Sequence, residues 1–216
     1  MTTTAQTAAP VTVWSRSLGR RLQSLMVALA PFTMGLAIAL LSPAAFAAWD
    51  LQQLMDTLAQ NKSGRASFVE TKHISLLDKP VESSGELLFT APDRLEKRTL
   101  KPKAESMVVY GDELLVERGR QKYQLRLQTY PELAAFIDSI RGTLAGDRKA
   151  LERNYRLSLE GTAERWTLQL LPVDEKMLAV IKSIRIAGVR DQVRSIDIAQ
   201  ADGDSSLMAI EKLATP

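Results

Sequence analysis

ESMVVYGDELLVERGRQKYQLRL, residues 105–127, decides the fold class. Ser106 to Tyr110, Glu113 to Arg118 and Lys122 to Leu127 are short aliphatic and β-branched segments, separated only by Gly111-Asp112 and Gly119-Arg120. Two-residue connections containing Gly make tight hairpins, so the stretch predicts three successive antiparallel strands.

The same rhythm extends in both directions. Towards the N-terminus lie Arg94 to Leu100, Val81 to Thr90 after the turn Asp78-Lys79-Pro80, and a segment in which Ala66, Phe68 and Glu70 alternate with Ser67, Val69 and Thr71. Towards the C-terminus lie Tyr155 to Glu160, Glu164 to Leu171, Ile181 to Ile186, Gln192 to Ile198 and Ser205 to Glu211. The spacing is that of an all-β sandwich or barrel. Two helical patterns interrupt it. In Trp49 to Asn61, Leu51, Leu54, Met55 and Leu58 fall on one stripe at i, i+3, i+4 and i+7. Pro131, tolerated at a first helical turn, opens a second run with Leu133, Phe136, Ile137, Ile140 and Leu144 at helical spacing. Gly142 weakens its end, Gly146 stops it, and Asp147 to Arg153 adds a short third helix.

The expected architecture is therefore mainly β (α+β), with about ten or eleven antiparallel strands and two or three amphipathic helices. If such a sheet does not close on itself, the helices lie across the opening and an apolar cavity remains beneath them. That space suits an apolar ligand.

Composition narrows the function. The 216 residues contain 28 Lys+Arg, 25 Asp+Glu, one His and no Cys. Without Cys there are no disulfides, Cys-based zinc sites, thiol nucleophiles or lipidated Cys. The net charge of +3 comes from Arg16, Arg20 and Arg21; residues 1–47 hold no acid, and the remainder is neutral. A nucleic-acid role thereby loses its electrostatic footprint. Those arginines, the apolar run Leu25 to Leu41 and the closing Ala45-Phe46-Ala47 read as a secretory signal peptide. Cleavage after Ala47 leaves one domain, residues 48–216. An uncleaved anchor is the alternative, though Pro31 and Gly35 interrupt the apolar run.

Catalytic furniture is sparse. His73 is the only histidine and has no flanking Ser, Asp or Cys partner; Asp202-Gly203-Asp204 starts like a calcium loop, lacks its remaining ligands and reads as a hairpin turn. Asp112/Glu113 and Asp174/Glu175 are sequence neighbours at turns rather than an acid and base across a cleft. No catalytic residue, metal or cofactor is expected. Arg94, Lys97, Arg98, Lys101 and Lys103 form a basic run that reads as a solvated face or protected edge, or else as a docking site for an acidic partner or anionic headgroups.

Several stretches together resemble the LolA-type carriers of outer-membrane lipoproteins in Gram-negative bacteria. They are the helix before Ala66-Ser67-Phe68, then Gly85-Glu86-Leu87-Leu88-Phe89-Thr90-Ala91-Pro92, and Pro102 to Val116 with Glu105-Ser106-Met107-Val108-Val109 and the Gly111-Asp112 turn. Beyond Tyr130 the likeness is one of element order. The resemblance implies an incomplete antiparallel barrel with a helical lid, whose interior shelters acyl chains in the periplasm. It turns Leu87, Phe89 and Ala91 inward, with Phe68 beside them, Leu95 on the next strand, and Leu133, Phe136, Ile137 and Ile140 on the lid; a solid core would use the same residues. The sequence departs from the family where Ala91 stands for an inward arginine that fastens the lid, where Glu70 stands for Gln, and where Asp-Gly is inverted to Gly111-Asp112. It looks more like the divergent LolA-related proteins, some of which accompany aryl-polyene or other acyl-product pathways.

The function this implies is a monomeric periplasmic carrier or chaperone. It would take acylated or polyene cargo from an inner-membrane donor towards an outer-membrane acceptor. A sensor or interaction domain of the same fold is the alternative, and an acyl-substrate hydrolase the third reading.

Overall fold

Period-two alternation becomes eleven strands in the computed structural model, which describes residues 49–213. The expected signal sequence and its cleavage site, and residues 214–216, lie outside the described residues. Helix α1 (Leu51–Leu58) precedes β1 (Ser63–His73), β2 (Val81–Thr90), β3 (Arg94–Lys101), β4 (Glu105–Tyr110), β5 (Glu113–Arg118) and β6 (Gln121–Arg126). A 3₁₀ turn, Leu127–Thr129, leads into α2 (Pro131–Ala145) and α3 (Arg148–Glu152). Then follow β7 (Tyr155–Thr162), β8 (Arg165–Pro172), α4 (Glu175–Leu178), β9 (Ile181–Val189), β10 (Gln192–Gln200) and β11 (Ser205–Lys212).

The strands form one antiparallel sheet in the order β6-β5-β4-β3-β2-β1-β11-β10-β9-β8-β7. Hairpins account for most of the pairing. The exception is β1 with β11, the first and last strands, which meet at the centre with Phe68 opposite Ile210. The edges β6 and β7 do not pair, so the sheet is open. The chain between those two edges is the helical segment, which carries α2 and α3 from one half of the sheet to the other.

Each helix has a local cause. In α1 the Asp50 carboxylate accepts from Gln53 N while the Gln53 side chain accepts from Asp50 N, a capping box. The helix is shorter than the expected Trp49 to Asn61: Trp49 precedes the cap, and Gln60 and Asn61 lie beyond the C-cap Ala59. Pro131 occupies the first turn of α2, and Gly146 closes it with φ 67°. Gly146 also abuts the Met55 carbonyl and Ala59, leaving no room for a Cβ. Helix α4 has no signal in the sequence pattern. Asp174 caps it through Lys176 N and Met177 N, but four residues with one buried apolar side chain carry no helical period. The expected last strand residue of β6, Leu127, instead turns into the 3₁₀ segment, where it is buried and donates its N–H to Asp112 O at 2.9 Å.

Two apolar clusters divide the interior. Leu54, Met55 and Leu58 of α1 pack with Leu151, Tyr155, Trp166, Leu168, Leu170, Ile184 and Ile186. Val109, Leu114, Leu127 and Ile137 form the second cluster at the other half of the sheet. Phe136 of α2 packs against both, so the lid helix joins them.

Candidate functional site

Strand register sets one face of the sheet. Ala66 pairs with Leu87, Phe68 with Gly85 and Glu70 with Ser83; Phe89 pairs with Leu95 and Leu87 with Lys97; Leu95 pairs with Val109. Directly opposed residues point to the same side. On the other side of β1 the same face continues through Ser206, Met208 and Ile210 of β11 and Ile196 and Ile198 of β10.

Between this face and α2 lies a cavity of about 710 Å³, within the usual range for small-molecule sites of roughly 300 to 1,000 Å³. Leu87, Phe89, Leu95, Leu133, Phe136, Ile137 and Ile140 all line it, as do Met107, Val109, Ile186, Ile196, Ile198, Met208 and Ile210. Two of the residues expected inside are placed differently. Ala91 follows the end of β2 in a turn, donates its N–H to Lys62 O at 2.8 Å and is not part of the wall. Phe68 faces the interior but is buried beneath Lys97, whose Nζ stands 4.9 Å from the ring centroid.

The β9–β11 half of the wall escaped the sequence reading. Its signal was present in the Ser206-x-Met208-x-Ile210 alternation, but nothing local tells which face of such a strand turns inward.

The basic run is divided by the strand period. Arg94 and Arg98 share one face of β3 and both pair with Glu96, while Lys97 points into the cavity. Lys101 is exposed at the end of the strand. These four residues therefore do not form one surface.

Glu70, Lys72 and Lys97 form a charged cluster in the cavity wall, which Arg65, Glu96, Glu132, Asp191 and Lys212 also border. Glu70 is buried; its Oε1 accepts from Ser206 Oγ at 2.7 Å, and its Oε2 accepts from Lys97 Nζ at 2.5 Å and Ser83 Oγ at 3.3 Å. Lys72 Nζ lies 3.6 Å from Oε1. Burial opposes the charge on Glu70, but the hydrogen bond and charge of Lys97, then Ser206 and Lys72, outweigh it and hold the carboxyl below its ordinary range.

Other candidates resolve into structure. Asp204 accepts from Ser75 N and Oγ, both at 2.8 Å, and Asp202 Oδ1 accepts from Asp204 N at 3.0 Å, so Asp202-Gly203-Asp204 is a bonded turn. His73 is exposed at the end of β1. Among the described residues no cluster of His, Asp and Glu could hold a metal ion.

A family described as "Outer membrane lipoprotein carrier protein LolA-like" matches residues 43–214, most of the chain. This protein belongs to that LolA-like family. Among solved structures it is similar to a LolA superfamily protein from Nitrosomonas europaea, at 11% identity and TM-score 0.43, covering 78% of this chain and 96% of that one. It is also similar to the MucA/MucB complex structure of Pseudomonas aeruginosa, at 15% identity and TM-score 0.44, covering 77% and 58%. A DUF1329 family protein from Desulfovibrio piger matches at 12% identity and TM-score 0.42, covering 75% and 89%. No curated protein matches the sequence.

In this LolA-like chain, a guanidinium joining lid to sheet comes from the lid itself. Arg141 of α2 donates through Nη1 to Gly111 O at 2.6 Å and Asp93 O at 3.5 Å, at the turns after β4 and β2, while Nη2 pairs with Asp138. At its other flank the helix is held by Tyr155 Oη, which donates to Ala135 O at 3.2 Å. Burial, above all, pushes the Tyr155 phenol up to about 12, so it stays protonated as a donor. Among the described residues no helix is long and apolar enough to cross a membrane.

Proposed function

We propose that this LolA-like protein is a periplasmic carrier or chaperone. It shelters the acyl or polyene chain of a lipoprotein or lipid-like product and moves it towards the outer membrane without altering it. The observation that carries this reading is the lidded cavity, whose wall away from the Glu70 cluster is mostly apolar and would be a solid core in a protein with nothing to bind. Leu87, Phe89 and Leu95 supply one wall, and Leu133, Phe136, Ile137 and Ile140 supply the lid. Export rests on the tripartite signal in residues 1–47, and N-terminal sequencing of the periplasmic form checks it; full-length protein retained in the inner membrane would overturn it.

Diphenylhexatriene, an uncharged fluorescent polyene, tests the cavity. Saturable binding is expected. Phe136→Asp places an unpaired carboxylate between lid and ligand and should weaken binding about tenfold or more. A wild-type protein that shows no saturable binding would sink the carrier reading. Recovery from the periplasm with a bound protein and no lipid would favour the interaction domain instead.

A further inference from the structure

The carrier reading explains the apolar wall but not the charged cluster set into it. Sheets place charge on the solvated face, and a buried ion pair is poor value for stability compared with packed apolar side chains. Yet Glu70 and Lys72 of β1 and Lys97 of β3 all border the cavity, with Ser206 of β11 beside them.

The cluster is unbalanced in charge and in hydrogen bonding. It holds two ammonium groups and one carboxylate. Both carboxylate oxygens already accept hydrogen bonds. Lys97 has three N–H donors and spends one on Glu70; Lys72 is beyond hydrogen-bond range of it. Other acids in the wall do not redress this. Glu96 is paired with Arg94 and Arg98, and among the described residues neither Glu132 nor Asp191 lies within 4 Å of either ammonium. What is left over is cationic donor capacity at the solvent-reached edge of an apolar space, with the Lys97 side chain 25% exposed and Lys72 48% exposed.

Resting on the carrier reading, we propose that the cavity selects a single-chain amphiphile with an oxyanion headgroup. The headgroup is received by Lys97 and Lys72, and the chain lies beneath α2 against Leu87, Phe136 and Ile140. In the empty site Glu70 engages Lys97, which stands over Phe68, and offsets part of the positive charge.

Displacement of diphenylhexatriene by oleate, oleyl phosphate and oleyl alcohol at pH 8, with protein purified after expression of the full chain, tests this. The wild type should bind an oxyanion at least about tenfold more tightly than the alcohol, the gain expected of a charge-assisted bond. Comparison of oleate with oleyl phosphate tells which oxyanion is preferred. Glu70→Gln frees both lysines and should raise the preference for the oxyanion over the alcohol severalfold. Lys97→Met should remove most of the preference. Because it strands Glu70, the double variant Glu70→Gln/Lys97→Met, which removes both charges, serves if the single one does not fold. Equal affinity for acid, phosphate and alcohol, or no response to Glu70→Gln, would overturn the headgroup proposal and leave the apolar carrier standing. Failure of all three to displace a probe that binds saturably would overturn the proposal too, whereas a probe that does not bind removes the carrier reading beneath it.

Discussion

Glu70 shows what a single buried charge asks of its surroundings. Its carboxyl is held below the ordinary value of 4.5, so its contribution to stability is complete above that value and is lost as the pH falls through the lowered one. Glu70→Gln should cost about 1 to 2 kcal/mol at neutral pH, because Lys97 loses a charged acceptor and rehydrates only in part. Acidification should then narrow the gap. Thermal midpoints of both proteins from about pH 7 to about pH 3 check this, and parallel curves would count against it. Gly188 makes the complementary point about volume. It pairs with Trp166, whose indole ring occupies the space of a Cβ there and whose Nε1 donates to Arg190 O at 2.8 Å. Gly188→Ala must displace the ring or the strand, at an expected cost of about 1 to 3 kcal/mol in denaturant unfolding.

At the scale of elements, α2 is the part that covers the cavity. Its inner face is apolar, but it is fixed to the sheet by directional bonds at Arg141 and Tyr155. Arg141→Ala removes the bond to Gly111 O and leaves Asp138 without its partner, which should free the helix locally. Hydrogen exchange should rise across Pro131–Ala145 and stay unchanged in β8 and β9, with a loss of about 1 to 3 kcal/mol of overall stability. Uniform acceleration of the whole sheet would mean that Arg141 supports the fold rather than the lid. Gly146 belongs to the same element. Its positive φ and its contact with α1 make Gly146→Ala costly at both levels, and the variant should loosen α1 from α2.

At the largest scale, residues 49–213 form an open sheet whose two ends are linked by its lid and whose middle is closed by its first and last strands. Removing residues 205–213 would therefore not trim an edge. It would leave β1 and β10 as facing unpaired strands, take Ser206 from Glu70, and expose the centre of the wall. Aggregation on expression is the expected result, measured as loss of soluble monomer on size exclusion. The edges that nature leaves free are blunter. All of β6 except Leu125 is exposed, and it carries Gln121, Lys122, Gln124 and Arg126.

The sequence alone determined the local part of this structure. Hairpins at Gly111-Asp112 and Gly119-Arg120, the start of α2 at Pro131 and its stop at Gly146 follow from backbone preferences acting over a few residues. The inward set Leu87, Phe89, Leu95 and the lid set around Phe136 follow from periods of two and of 3.6, once a resemblance had named the inner face. Tertiary structure decided the rest. That β1 meets β11, that Ser206 reaches Glu70 from 136 residues away and that Ala91 falls outside the wall are matters of long-range pairing and of where a strand ends. The basic run of β3 is the clearest case: in sequence it is one charged patch, but alternation sends Arg94 and Arg98 to Glu96 and Lys97 into the cavity. Side-chain direction flips with every residue of a strand, while the choice of which face is the inside belongs to the sheet as a whole.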